Sequence, residues 1–187
     1  MHITESFTLE TDDILLSVLT PKDDTALEII AQDLRIWIQN PNFSDPKEFR
    51  AKWFEHALRQ QKQGKRIPFV IHYQHKVIGS TSFYDIDAPQ QITIGYTWLH
   101  PDYWGKGINT IVKHMLLNYL FDTAHFSQVN FVIDRLNLRS RKAVEKLGAA
   151  QQDIIINHMQ RPDGTMRDSV IYSIFAKKSY QDKSLFE

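Results

Sequence analysis

The chain has 187 residues, of which 42% are hydrophobic, so it is long enough for one domain with a substantial core and too short to expect two. Its 22 Lys and Arg residues balance 22 Asp and Glu residues, so it lacks the basic excess typical of nucleic-acid-binding proteins. The absence of cysteine excludes a disulfide framework, a thiolate nucleophile and a zinc site built on sulfur.

The sequence shows no export or membrane signal. The opening residues, MHITESFTLETDD, have no basic stretch followed by an apolar run, so we expect no signal peptide. No apolar run approaches the length of a membrane-spanning helix. Together with the lack of cysteine, these features are compatible with a cytoplasmic protein. They leave the oligomeric state open, with a homodimer as one alternative.

The N-terminal half predicts one strand, two helices and three further strands. Apolar residues recur at helical spacing in both helical segments, and Pro46 is well placed to open the second. The predicted elements are a strand at 14–20, a helix from the PKDD sequence to Trp37, a turn-rich break at 40–49, a helix from Pro46 to near Gly64, and strands at 67–73, 76–86 and 91–99.

The C-terminal half predicts a helix from Gly107, a strand at 129–134, a short helix at 137–148 and a final hairpin around the RPDG turn. One face of the helix from Gly107 carries an apolar stripe, namely Ile108, Ile111, Val112, Met115, Leu116, Tyr119 and Leu120. The element order predicts an α/β fold with a mixed (α+β) sheet. We expect a single domain over residues 1–187, with about seven mostly antiparallel strands flanked by about four helices.

The strongest local signal is the segment HPDYWGKGINT, which joins a predicted strand to a long helix. Gly105 and Gly107 allow a sharp turn and a close backbone approach. Helix N-termini carry unpaired N–H groups and bind anions, most often phosphates. The segment is not a P-loop, and Thr110 occupies the third glycine position of the dinucleotide pattern. A turn that needs glycine only for its geometry is the alternative.

Four segments, in order over nearly the whole chain, resemble the GNAT superfamily of acyl-CoA-dependent N-acetyltransferases. The resemblance is strongest to the branch that contains the bacterial ribosomal-protein N-terminal acetyltransferases. The four segments are LETDDILLSVLTPKDD, HPDYWGKGINT, NLRSRKAVEKLGA and RPDGTMRDSVIYSI. The resemblance implies a GNAT-like domain with acetyl-CoA as cosubstrate and no metal.

The resemblance also implies where coenzyme A binds. Backbone N–H groups from Gly105 to Thr110 would hold its pyrophosphate, and the strand ending at Trp98–Leu99 would pair with the pantetheine arm. Asn109 stands where the superfamily usually has Gly or Ala, so it could cap the helix, bond a phosphate oxygen or crowd the loop. The implied cofactor-binding residues are Trp98, Leu99, Trp104, Gly105, Lys106, Gly107, Ile108, Asn109, Thr110, Asn137 and Ser140.

Amide formation from a thioester is helped by a proton for the leaving thiolate. Many superfamily members supply it from a tyrosine, whose position is occupied here by Val144. The resemblance implies that Ser140 substitutes as the acid; the alternative is that Ser140 only contacts coenzyme A. Asn137 opens the same helix as an N-cap. The resemblance adds a contact to the cofactor, and both roles can hold at once.

The base that accepts the amine proton is less clearly indicated. Val132 occupies the usual glutamate position, and Asp134 lies two residues further along the strand. Asp134 could act on the amine or fix the loop before Asn137. His158 is another candidate base, since histidine is a common general base, although a packing role in the hairpin is an alternative. A bound water could also accept the proton.

The expected function is transfer of an acetyl group from acetyl-CoA to a primary amine, either a protein N-terminus or a small amine, by direct attack in a ternary complex. A polyamine or antibiotic acetyltransferase is one alternative. A non-catalytic acyl-CoA-binding module is another, and it would fit the valines at positions 132 and 144. The expected partners are acetyl-CoA and an amine acceptor, with no membrane and no nucleic acid indicated.

Overall fold

Eight strands and four α-helices follow one another in the part of the chain that the structure, a computed structural model, describes: residues 3–38, 45–161 and 164–176. Their bounds are β1 Thr8–Glu10, β2 Ile14–Val18, α1 Asp24–Ile30, α2 Glu55–Lys62, β3 Arg66–Tyr73, β4 Lys76–Asp87, β5 Gln91–Leu99, α3 Ile108–Asn118, β6 Gln128–Asp134, α4 Leu138–Lys146, β7 Ala150–Gln160 and β8 Met166–Phe175.

All eight strands form one sheet, in the order β1-β2-β3-β4-β5-β6-β8-β7. Every neighbouring pair is antiparallel except β5 and β6, which are parallel. These two strands pair only where Gln91–Thr93 faces Gln128–Asn130, and both continue well beyond that point. The sheet therefore opens between β5 and β6 at the C-terminal ends of the two strands.

A bulge in β5 lies beside this opening. On β4, Ser80 pairs with Trp98 and Ser82 pairs with Gly95, so β5 has one more residue than β4 between the two pairs. Tyr96, inside the bulge, has a φ of 52°. Bulges bend a strand and re-aim its side chains, which here changes the direction of the side chains next to the opening.

Two hydrophobic clusters lie on opposite faces of the sheet. Val70 and Ile71 are neighbours in β3, and successive strand residues point to opposite faces. Ile71 packs in the cluster that includes α3 and α4 residues, whereas Val70 packs with residues of α1 and α2 and with the aromatic rings that precede α2. The helix that follows the glycine loop thus covers one face, and the two N-terminal helices cover the other.

The structure confirms the predicted fold class and differs in detail. The described residues form eight strands, not about seven. The additional strand is β1, whose three residues are too few to give a recognisable pattern in the sequence. The first helix ends at Ile30, and the indole of Trp37 donates to the Ala31 carbonyl (2.8 Å) after the chain has turned. Ile111, which belongs to the apolar stripe of α3, is 45% exposed.

The second predicted helix is a composite. A 3₁₀ turn at Pro46–Glu48 leads into a π-helical stretch at Phe49–Phe54 and then into α2. Part of the predicted turn-rich break at 40–49 and part of the RPDG turn lie outside the described residues. None of the described helices is long and apolar enough to cross a membrane.

Candidate active site

A cavity of about 910 Å³ fills the opening between β5 and β6. It is lined by the last part of both strands, the loop before α3, and the first turns of α3 and α4. Every residue singled out from the sequence for binding or catalysis lines it, except Lys106. These residues are Trp98, Leu99, Trp104, Gly105, Gly107, Ile108, Asn109, Thr110, Asp134, Asn137, Ser140 and His158.

The loop before α3 presents a row of free backbone donors. Gly105 and Gly107 have φ values of 74° and 79°, in the left-handed region that glycine adopts without strain. No described group accepts a hydrogen bond from the N–H groups of residues 105–109. The N–H of Thr110 donates to the Gly107 carbonyl (3.0 Å), so this predicted donor belongs to the helix instead. The loop and the helix N-terminus together form a seat for an anion.

Two contacts of Trp104 fix this loop. Its indole N–H donates to the Leu99 carbonyl (2.8 Å), which ties the loop to the end of β5. The Arg139 guanidinium of α4 lies 4.3 Å from the centre of a Trp104 ring. Lys106 points elsewhere, with its Nζ 5.3 Å from the Tyr103 ring centre, so it borders the cavity without lining it.

The edge of β5 that faces the cavity is unpaired from Ile94 to Leu99, because β6 has diverged from it. A free strand edge binds an extended, amide-bearing chain as it would another strand. The edge that could pair with the pantetheine arm therefore includes Trp98 and Leu99, as predicted, and also the bulge and the residues before it. The Leu99 carbonyl already accepts the Trp104 indole, which leaves it one lone pair.

Asn109 lies in the first turn of α3 and lines the cavity. Its Oδ1 is buried and has no hydrogen-bond donor among the described residues. Because an unsatisfied buried acceptor is costly, a ligand with N–H or O–H groups would be stabilised at this position. This orphan oxygen suits the arm of coenzyme A, which carries two amides and a hydroxyl.

Asn137 and Ser140 form the start of α4. The Asn137 Oδ1 accepts the backbone N–H of Ser140 (3.1 Å), so Asn137 is the N-cap. No described residue bonds the Ser140 hydroxyl, which lines the cavity together with the buried Val144. The structure thus places a free hydroxyl beside the valine that cannot donate a proton.

Asp134 is held by other residues rather than presented to a substrate. Arg161 donates to both of its carboxylate oxygens (3.0 and 2.8 Å), and the Arg167 Nε lies 3.9 Å from Oδ2. Oδ1 also accepts the Leu136 N–H (2.9 Å), and the backbone carbonyl accepts the N–H of Asn137 (2.8 Å). These bonds favour the loop-fixing role over the role of base.

His158 lies on β7 with an exposed side chain that borders the cavity. Its Nδ1 is 2.9 Å from the Ser169 hydroxyl on β8. This contact leaves Nε2 for other partners. A ring oriented through one nitrogen can exchange a proton through the other, so the geometry is compatible with the predicted role as a base.

The sequence reasoning missed Lys113, which lies one turn after Asn109 in α3. Its side chain is buried yet lines the cavity, and Nζ contacts the hydroxyls of Thr97 (2.6 Å) and Thr81 (3.2 Å). Burial lowers the pKa of the Lys113 ammonium to about 7. The available signal was helical spacing, since position 113 lies three residues before Leu116, which is fully buried.

A second missed group lies on the face that α1 and α2 cover. Arg66 is 2% exposed, its guanidinium carbon is 3.9 Å from the Tyr96 ring centre, and its Nε donates to Ser82 (2.8 Å). Burial lowers the pKa of Arg66 to about 10. Burial and the neighbouring Tyr96 raise the pKa of Tyr84, which lines the cavity with Tyr96 and Arg167.

The described residues contain no group of three or more His, Cys, Asp or Glu side chains that could hold a metal ion. His72, one of two closely spaced histidines on β3 and the turn after it, contacts the Ser17 hydroxyl (3.1 Å), and burial lowers its pKa.

Comparison with known proteins agrees with the fold described above. The model of the family described as Acetyltransferase (GNAT) domain matches residues 13–150. A Bacillus subtilis protein with the provisional name ribosomal N-acetyltransferase YdaF is 26% identical over 178 residues, covering 88% of this chain and 92% of the relative.

Solved structures superpose over most of the chain. A GCN5-related N-acetyltransferase from Brucella melitensis has a TM-score of 0.81 at 21% identity, covering 92% of this chain and 80% of that one. Mycobacterium smegmatis RimJ, solved in complex with CoA-disulfide, has a TM-score of 0.76 at 21% identity, covering 90% and 84%. With the family match spanning residues 13–150, the chain belongs to the GNAT acetyltransferase family.

Proposed function

We propose that the protein transfers an acetyl group from acetyl-CoA to a primary amine, by direct attack in a ternary complex. One observation carries the proposal: the free N–H groups of residues 105–109 and the unpaired edge of β5 open into the same cavity. The first feature suits a pyrophosphate, and the second suits the amide-bearing pantetheine arm. RimJ, with CoA-disulfide, and the microcin immunity acetyltransferase MccE, with acetyl-CoA and AMP, support this ligand in the same fold.

The reaction needs no covalent enzyme intermediate. The lone pair of the neutral amine attacks the acetyl carbon, and the carbonyl electron pair moves onto oxygen. The C–O double bond then re-forms as the C–S bond breaks, and coenzyme A leaves as a thiolate. The attacking nitrogen loses one proton, to His158 or to water, and the thiolate gains one. We assign the second proton to the Ser140 hydroxyl, because Val144 has none to give. The serine oxygen regains a proton from the group that took the one from nitrogen, directly or through water, so no alkoxide remains.

The part of the cavity that Tyr84, Tyr96 and Arg167 line, where we place the acceptor, favours an amine without further positive charges. Arg167 lines it, and Arg66 lies beneath the Tyr96 ring. Of the two carboxylates that line the cavity, Asp134 already pairs with Arg161, which leaves Asp85. Like charges that lie close together repel. A protein N-terminus or a small monoamine therefore suits the site better than a polyamine or an aminoglycoside.

Release of free coenzyme A thiol, measured with a panel of amines, tests this proposal. We expect turnover with a peptide bearing a free N-terminus or with a monoamine, and at least about tenfold lower kcat/KM with spermidine. The same peptide with a blocked N-terminus is the matched control. Binding of acetyl-CoA without turnover of any amine would contradict the proposal and support a non-catalytic binding module.

Asn137→Ala is expected to lower the free energy of unfolding by about 1 kcal/mol, because an N-cap is lost. If the side chain also contacts coenzyme A, the KM for acetyl-CoA rises as well. Chemical denaturation and steady-state kinetics measure the two effects. Asn137→Ser, which retains a capping oxygen, is the control for stability. A loss of stability with unchanged kinetics would reduce Asn137 to a cap alone.

A further inference from the structure

The side-chain amino group of Lys113 is buried and has no acidic partner among the described residues. Its residue is 5% exposed, and its Nζ has only two hydrogen-bond partners among the described residues, the hydroxyls of Thr97 and Thr81. No described carboxylate lies within 4.0 Å of it. Because burying an unpaired charge is costly, this lysine lowers the stability of the fold. A role in the site would explain its position.

Lys113 lies near the position that the thioester of the bound cofactor would occupy. It follows Asn109 by one helical turn, so it lies about 6 Å deeper along α3 than the first turn, which faces the phosphates. Its partner Thr97 belongs to the bulge on the unpaired edge of β5. An arm that runs from the phosphate seat along this edge would bring its thioester toward the bulge.

The ammonium group has a donor to spare. A protonated lysine has three N–H donors, and two of them are used by Thr97 and Thr81. The two hydroxyls are also 2.8 Å from each other, so they form a connected network with Nζ. Since Lys113 lines the cavity, the remaining N–H can reach a ligand there.

We propose that Lys113 is a catalytic cation that stabilises the negative charge developing on the thioester oxygen when the amine attacks. This inference rests on the acetyl transfer proposed above. The new N–C bond forms as the carbonyl electron pair moves to oxygen, and this oxyanion accepts a hydrogen bond from the ammonium. Lys113 keeps its proton when the oxyanion collapses and the C–S bond breaks. A donor in a buried environment, such as that of Lys113, is worth far more than one in water.

The acid form is the active one, so the pH dependence of kcat is informative. Burial lowers the pKa of Lys113 from 10.5 to about 7. As pH rises through that pKa the cation is lost, and kcat acquires a falling limb on the basic side. Two carboxylates line the same cavity, Asp85 and Asp134. Its other ionisable side chains are Tyr84, Tyr96, Tyr103, Arg139, His158 and Arg167.

Lys113→Met tests the role, because methionine fills a similar volume without a charge. We expect kcat to fall by about 10²–10³-fold at saturating acetyl-CoA, the range for loss of one oxyanion donor. The dissociation constant for acetyl-CoA should stay within about threefold, since the negative charge that Lys113 stabilises develops only in the transition state. The falling basic limb of the kcat profile should disappear. Lys146→Met, at an exposed position of α4, is the matched control and should change neither value.

The stability of the Lys113→Met variant distinguishes a catalytic role of Lys113 from a purely structural one. The folded-state pKa of Lys113 is depressed below its value of 10.5 in an unfolded chain. The folded protein therefore bears the full cost of the charge below about pH 7, and this cost fades as pH rises toward 10.5. Lys113→Met should raise the midpoint of thermal unfolding most at low pH. A lysine that served only to hold the bulge would give a less stable variant.

Thr97→Val is the second variant, and it keeps the test decisive if Lys113→Met does not fold. It removes the hydroxyl that orients Nζ and should lower kcat by about tenfold, whereas Thr97→Ser should not. A folded Lys113→Met enzyme with kcat within about threefold of the wild type, or with the basic limb intact, would overturn the inference. Failure of the proposed function gives a different result from failure of the Lys113 role alone. In that case the wild type would release no thiol with any amine, and both the acetyl transfer and the role of Lys113 would be overturned.

Discussion

A Gly107→Glu variant is expected to lose measurable binding of acetyl-CoA. Gly107 is the N-cap of α3 and lies within the row of free N–H groups at 105–109. A glutamate there adds a negative charge where the pyrophosphate would lie, and like charges in contact repel. Isothermal titration calorimetry with coenzyme A measures the effect, with circular dichroism to show that the variant is folded.

Backbone strain requires its own control, because Gly107 has a φ of 79°. A residue with a side chain costs roughly 1–2 kcal/mol in that conformation. Gly107→Ala carries the same strain without charge, and a Cβ at this position meets no atom within 4 Å. We expect it to weaken binding moderately. Unchanged affinity for coenzyme A in a folded Gly107→Glu protein would contradict the claim that the pyrophosphate binds at residues 105–109.

Ser140→Ala is expected to lower kcat by roughly 10²–10⁴-fold at saturating substrates, the usual scale for loss of a general acid. The hydroxyl lines the cavity and is bonded to no described residue, so it is available to the sulfur. The nearby Val144 offers no substitute donor. Single-turnover kinetics at saturating acetyl-CoA measure the effect on the chemical step.

Acetyl-CoA affinity measured directly is the control, since KM need not equal a dissociation constant. Ser140→Thr retains a hydroxyl and should preserve most of the activity. A rise in KM with kcat reduced less than about threefold would assign Ser140 to cofactor binding alone. The thiolate would then leave unprotonated or take its proton from water.

The residues proposed to bind the cofactor could be selected from the sequence because their signals are local. Gly105 and Gly107 are close in sequence, and the strand at 91–99 and the helix after it have clear periodicity. The cap between Asn137 and Ser140 also spans a single turn. Each of these features depends on a few neighbouring residues, and the structure places them around one cavity.

The catalytic side depends on contacts between distant residues, which a pattern does not reveal. Asp134 has the residue type of a base, but Arg161, 27 positions later, occupies its carboxylate. From the sequence, Lys113 would be expected to be a solvent-exposed helix residue, yet packing against Thr81 and Thr97 buries it. The bulge that positions Thr97 results from strand pairing, and only the folded sheet shows it.

The burial of Arg66 has the same origin. An arginine at the start of a strand is usually exposed, but here Trp53 and Tyr96 cover its guanidinium. The aromatic residues before α2, Phe49, Trp53 and Phe54, are buried, in agreement with their helical spacing. The charge that they enclose could not be predicted, since it depends on how α2 packs on the sheet.

A crystal structure of the protein with coenzyme A bound tests the central claim most directly. The account predicts pyrophosphate oxygens within about 3 Å of the backbone nitrogens of residues 105–109. It also predicts that the pantetheine amides pair with the β5 edge between Ile94 and Leu99, and that the sulfur lies near Ser140 and Lys113. Coenzyme A bound outside the opening between β5 and β6, with these N–H groups still free, would contradict it.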